Sequence, residues 1–137
     1  MIGCIIQARM GSSRLPGKTL IKLDESRSTL DFVVNQLSFS TLIDKTIIAT
    51  TSLEQDDIIE KNAKTLGIDC FRGSSDDVLD RYYHCAKKFQ INTIVRITSD
   101  CPLIDPQIVD HVIRKYQHEN YDYVTNTLSR SYPIGTD

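Results

Sequence analysis

The sequence predicts an α/β fold, a mostly parallel sheet covered by helices, and three observations carry that prediction. Short apolar or β-branched runs recur at Met1–Gln7, Lys45–Thr51, Ile68–Phe71 and Thr93–Thr98. Stretches of helical period lie between them. Strands alternating with helices at this spacing build βαβ units, whose strands run parallel. No repeat, low-complexity tract or linker interrupts the pattern, so residues 1–137 read as one domain.

Taken in order, Met1–Gln7 is almost wholly apolar and suits a strand buried on both faces. A loop follows, then a short extension at Thr19–Leu23 and a polar turn at Asp24–Ser28. Ser28 or Thr29 caps a helix carrying Leu30, Val33, Val34 and Leu37, with Asp31 in its first turn. Lys45–Thr51 is the second strand. Glu54–Leu66 is an amphipathic helix with acids first, Lys61 and Lys64 near its end, and Gly67 as its stop. Ile68–Phe71 is a third strand. Ser74 or Ser75 caps the next helix, with Asp76 and Asp77 in its first turn and Phe89 near its end. Thr93–Thr98 leads into Ser99-Asp100-Cys101-Pro102. Asp105-Pro106 opens a helix continued by Ile108, Val112 and Tyr116. Tyr121–Thr125 is a last strand candidate, and the tail reads as coil.

Composition bounds the partners. The chain is 40% hydrophobic, and 16 basic against 18 acidic residues leave a formal charge of −2. Such a balance gives no global steering toward nucleic acid or a membrane surface, so an anion site has to be local. No apolar run approaches the roughly 20 residues of a membrane span, and the start lacks the basic leader of a signal peptide. A cytoplasmic protein is expected. Cys4, Cys70, Cys85 and Cys101 are scattered without a C-x-x-C pair, which suits small core residues in a reducing compartment better than a zinc site. His111 and His118 read as surface helix residues.

The local anion site is legible in Ile5–Leu20, IIQARMGSSRLPGKTL. Arg9, Arg14, Lys18 and Lys22 precede the first acid of the chain, Asp24. Small residues let backbone N–H groups approach phosphate oxygens, and the cations neutralise their charge. The stretch is a near miss to the P-loop. Five residues separate Gly11 from Gly17, and Pro16, which has no N–H, stands where the second glycine belongs. Asp100, just past the fourth strand, is poised to hold a divalent cation, or else is a turn aspartate. In parallel sheets ligands bind beyond the carboxyl ends of the strands, where both loops lie.

IIQARMGSSRLPGKTL, RITSDCPLIDP and FRGSSDDVLDRYY together resemble the cytidylyltransferases that make CMP-activated sugars. The likeness is strongest to the spore-coat polysaccharide biosynthesis branch, with CMP-keto-deoxyoctulosonate and acylneuraminate cytidylyltransferases as more distant relatives. The resemblance implies a Rossmann-like, GT-A-like nucleotide-diphospho-sugar transferase fold of three α/β/α layers. It implies a nucleotidyltransferase that moves CMP from CTP to a sugar, with Mg²⁺ as cofactor and pyrophosphate as product. Carried onto this sequence, Ala8, Arg9, Met10, Gly11, Ser12, Arg14 and Lys18 would hold the triphosphate, with Arg14 and Lys18 stabilising the charge on departing pyrophosphate. Asp100 would bind the metal. Arg72, Gly73, Ser74 and Ser75 would contact base or ribose, although capping chemistry explains the same Ser and Asp residues equally well. Asp80 and Arg81 would be structural.

Members of that family are substantially longer. The resemblance therefore implies a truncated chain, the N-terminal nucleotide-binding part. The part that contributes to the sugar site, a further acidic ligand and the dimer contact would be missing. A CTP-binding fragment without turnover and a transferase using another nucleotide remain as alternatives. A glycosyltransferase of similar fold would call for a D-x-D motif, and the sequence has none.

Overall fold

In the computed structural model, which describes every residue except Asn120, Arg130, Ile134 and Asp137, four parallel strands form one sheet. Strand β1 (Ile2–Gln7) is flanked by β2 (Lys45–Thr51) and β4 (Thr93–Thr98), so that Ile5 lies between Ile47 and Arg96. Strand β3 (Asp69–Gly73) completes the order β3-β2-β1-β4 from the far side of β2.

The period-2 geometry of the strands sorts their side chains onto two cores. Cys4, Ile6, Ala8, Ile48 and Ile97 face one side. There α1 (Thr29–Leu37), α2 (Asp57–Thr65) and α4 (Pro106–His118) cover them with Leu30, Val33, Ile59, Ala63, Val109 and Ile113. Ile5, Ile47 and Ala49 face the other side, under Tyr82, Cys85 and Ala86 of α3 (Val78–Phe89). Chain direction explains the split. The α1 and α2 crossovers step from β1 outward to β3, whereas α3 returns across the sheet to β4. A right-handed return puts its helix on the opposite face. The expected α/β/α layering is present.

Local chemistry sets the helix ends. Ser28 and Asp31 form a reciprocal capping box on α1. Asp105 caps α4, with Pro106 in its first turn. Asp110, 4% exposed, ties α4 to the loop before β2 by accepting from the Ser40 hydroxyl (2.5 Å) and the Thr41 amide (2.9 Å).

Four expectations need correction. The cap of α3 is Asp77, whose carboxylate accepts from the Asp80 amide at 2.9 Å; the Ser74 hydroxyl accepts from the Asp77 amide and only shapes the approach. The helix expected over Glu54–Leu66 begins as a 3₁₀ turn, Glu54–Asp56, because Asp56 turns inward rather than capping. Thr19–Leu23 is a 3₁₀ turn at Lys18–Leu20 followed by a single bridge between Lys22 and Ser28. Tyr121–Thr125 forms no strand: its β-prone side chains find no ladder, and Tyr123 is 78% exposed.

The connectivity also locates a crevice. Leaving β1, the chain proceeds to β2 on one side, while β4 arrives on the other. Strand order therefore reverses between β1 and β4, the position where open α/β sheets bind ligands.

Candidate functional site

Beyond the carboxyl ends of β1 and β4 lies a cavity of about 190 Å³. Gln7, Arg9, Ser12, Ser13, Arg14, Lys18 and Thr19 line it from the β1 side, and Thr98, Ser99 and Asp100 from the β4 side. The structure thus brings together Arg9, Ser12, Arg14, Lys18 and Asp100 from residues far apart in sequence.

The loop between β1 and α1 is held by its own backbone and by one buried acid. The Ser12 and Gly17 amides both donate to the Met10 carbonyl at 2.9 Å, and Gly17 closes the turn at φ 73°. The Met10 amide donates to Asp56 Oδ1 at 2.7 Å, while the Thr51 hydroxyl bonds the other Asp56 oxygen. Asp56 therefore pins the loop to the end of β2. The amides of Ala8, Met10 and Ser12 all have acceptors inside the protein. Among the described residues, those of Gly11, Ser13 and Arg14 have none, so the amides free to meet an anion are partly different from the expected set. A side chain at Gly11 would stand 3.0 Å from the Gln55 amide group.

Three cations face one carboxylate in this cavity. Lys18 forms an ion pair with Asp100 across it, and both side chains are about a third exposed. Burial alone would raise the Asp100 carboxyl; the Lys18 ammonium and the Thr98 hydroxyl reverse this and hold it below the usual carboxylate range. Among the described residues, Arg9 and Arg14 have no ion-pair partner. The cavity wall therefore carries more positive than negative side-chain charge. No cluster of three or more metal-ligating side chains occurs among the described residues. Asp100 alone, beside the hydroxyls of Thr98 and Ser99, suits a hard cation that takes its other ligands from phosphate and water.

The structure does not bring Arg72, Gly73, Ser74 and Ser75 into this cavity. Arg72 turns toward α2, donating to Asp57 (2.5 Å), Glu60 (3.1 Å) and the carbonyls of Thr51 and Leu53. The Ser74 carbonyl accepts from Arg81, which is fully buried. Gly73 lies close against Phe71 and Arg81, with a Cβ there 2.7 Å from the Phe71 ring. The bond to the Ser74 carbonyl is made by Arg81 Nη1, while the buried Nε and Nη2 of Arg81 have no hydrogen-bond partner among the described residues.

Sequence reasoning missed Gln7, Ser13, Thr19, Thr98 and Ser99 as lining residues, and Asp56 as the loop's anchor. Thr19 and Ser99 adjoin Lys18 and Asp100, which was a usable signal. The pairing of Gln7 with Thr98 depends on strand register and had none.

Comparison with known proteins places the chain in a family and matches its fold. Residues 3–131 match the cytidylyltransferase family. A Methanocaldococcus jannaschii protein, MJ1063, is 41% identical over 121 residues, which are 88% of this chain and 49% of that protein. The spore coat polysaccharide biosynthesis protein SpsF of Bacillus subtilis is 40% identical over 128 residues, 89% of this chain and 53% of its own. A solved cytidylyltransferase from Leptospira borgpetersenii superimposes with a TM-score of 0.92 at 38% identity, covering 99% of this chain and 58% of that one. The chain spans about half the length of MJ1063 and SpsF. No helix among the described residues is long and apolar enough to cross a membrane.

Proposed function

This chain belongs to the cytidylyltransferase family, and from that premise we propose that it binds CTP in the β1–β4 crevice for transfer of CMP to a sugar. The observation that carries the reading is the cavity itself: Arg9, Arg14 and Lys18 converge with Asp100 where the strand order reverses.

In the proposed reaction a sugar hydroxyl attacks the α-phosphorus, a new oxygen–phosphorus bond forms, and pyrophosphate leaves. Such chemistry asks the protein mainly for positioning and charge neutralisation. Arg14 and Lys18 take the β- and γ-phosphates, and Arg9 lies nearer the α-phosphate. The unpaired amides of Gly11, Ser13 and Arg14 add donors without adding charge. Asp100 would hold Mg²⁺, which supplies further neutralisation of the phosphates when bound. Gly73, Ser74 and Ser75 stand at the end of β3, on the side proposed for the nucleoside, with Arg72 bracing that corner. The sugar is assigned to a polysaccharide precursor because SpsF is a polysaccharide biosynthesis protein. A homodimer and a cytoplasmic setting are part of the same proposal.

Because the relatives are about twice as long, binding is the direct test. Calorimetric titration with CTP, UTP, ATP and GTP, each with and without Mg²⁺, is expected to give tightest binding for CTP with Mg²⁺. Equal affinity for all four would leave a phosphate site without cytidine selectivity and overturn the cytidylyl assignment.

A further inference from the structure

Behind the ion pair of Lys18 and Asp100 lies a second contact, between the residues next to them in sequence. Thr19 and Ser99 are 1% and 5% exposed, and their hydroxyl oxygens are 3.0 Å apart. The Thr19 hydroxyl also contacts the carbonyl oxygen of Arg9 at 3.3 Å. A hydroxyl has one proton and a carbonyl only accepts, so Thr19 donates to Arg9. Ser99 must then donate to Thr19. The Ser99 amide in turn donates to the Gln7 carbonyl at 3.1 Å.

This buried chain runs Ser99 to Thr19 to Arg9. Each member either is, or directly precedes or follows, a charged residue of the cavity: Asp100, Lys18 and Arg9. We propose that the Ser99–Thr19–Arg9 hydroxyl chain is the positioning element that holds the carboxylate loop and the cation loop at one spacing, so that a phosphate and a divalent cation are bound together rather than separately. The inference rests on the reading of the crevice as a CTP site. The exposed ion pair cannot do this work itself. Lys18 and Asp100 are each called on by the ligand, and that contact must loosen when phosphate takes the ammonium and a cation takes the carboxylate. The two hydroxyls buried below it carry no charge and are already bonded to each other and to the Arg9 carbonyl. An unpaired buried hydroxyl is costly, so the rung keeps its geometry while the charges above it change partners.

The two hydroxyls separate the roles. Ser99→Ala removes the link to the Asp100 loop and leaves Thr19 bonded to Arg9. Thr19→Val removes both links with little change of shape. Thr19→Ser keeps the hydroxyl. The test is CTP titration of the wild type and these three variants with and without Mg²⁺, with thermal unfolding to establish that each is folded. The expected result is that Ser99→Ala loses most of the affinity gained from Mg²⁺, about tenfold, and loses less in the Mg²⁺-free arm. Thr19→Val weakens both arms, and Thr19→Ser restores them. If Ser99→Ala retains the wild-type gain from Mg²⁺, or weakens both arms in equal ratio, the proposal is overturned and the CTP reading stands. The same holds if a folded Thr19→Ser fails to restore binding. If the wild type binds no CTP in either arm, both fall. Should Thr19→Val not fold, Ser99→Ala alone decides.

Discussion

Two corners of the same sheet edge carry similar residues and use them in opposite ways. At the β1–β4 crevice, Arg9 and Arg14 face open space without an ion-pair partner among the described residues, and Lys18 meets a single acid. At the β3–α3 corner, Arg72 is gripped by two acids and two carbonyls, Arg81 is buried against Ser74, and Asp77 caps a helix. Read as a string, each corner is a mix of Arg, Gly, Ser and a nearby Asp. The difference lies in what the neighbouring elements supply. Helix α2 begins with Asp57 and Glu60 on the face that β3 packs against, so Arg72 finds its counter-charges within the protein. The first acid after β1 is Asp24, which turns back on Arg27, Ser26 and its own loop. At the crevice two cations and one half of an ion pair stay at the cavity wall, whereas at the other corner Arg72 uses its donors within the protein.

That contrast makes two substitutions informative. The larger effect is expected from Lys18→Ala, which removes the cation proposed to meet phosphate. Affinity for CTP should fall about tenfold or more with little change in the thermal midpoint. A near-normal dissociation constant would remove Lys18 from the site. A smaller effect of the opposite kind is expected from Arg72→Ala. Its ion pairs are partly exposed, so their contribution is discounted, and the lost bonds to Asp57, Glu60, Thr51 and Leu53 should cost on the order of 1–2 kcal/mol in chemical denaturation. Pyrophosphate affinity should stay within about threefold, since Arg72 lies outside the cavity and contributes only a screened charge. Loss of pyrophosphate binding in a folded Arg72→Ala protein would erase the distinction between the corners.

The same contrast explains how far the sequence could be read. Four strands and four helices were legible because their signals are local: apolar runs, helical stripes, a capping box at Ser28 and Asp31, and Asp105-Pro106. The cations of the crevice were legible too, since their freedom from acids is visible along the chain. What stayed hidden depends on tertiary placement. Asp56 reads as one more acid at a helix start, but is drawn inward by the Met10 amide and the Thr51 hydroxyl. Tyr121–Thr125 has the composition of a strand and lacks a neighbour to pair with. The contact between Thr19 and Ser99 spans 80 positions and follows from β1–β4 register, which no local pattern encodes.

The most direct test of the account is to follow backbone amide resonances of the folded chain during titration with inorganic pyrophosphate, a ligand with phosphate charge and no base. The account predicts shifts concentrated at Gly11, Ser13, Arg14 and Lys18, and at Ser99 and Asp100, with Gly73 to Asp77 little changed. Shifts centred on Gly73 to Asp77, or spread evenly over the surface, would contradict it.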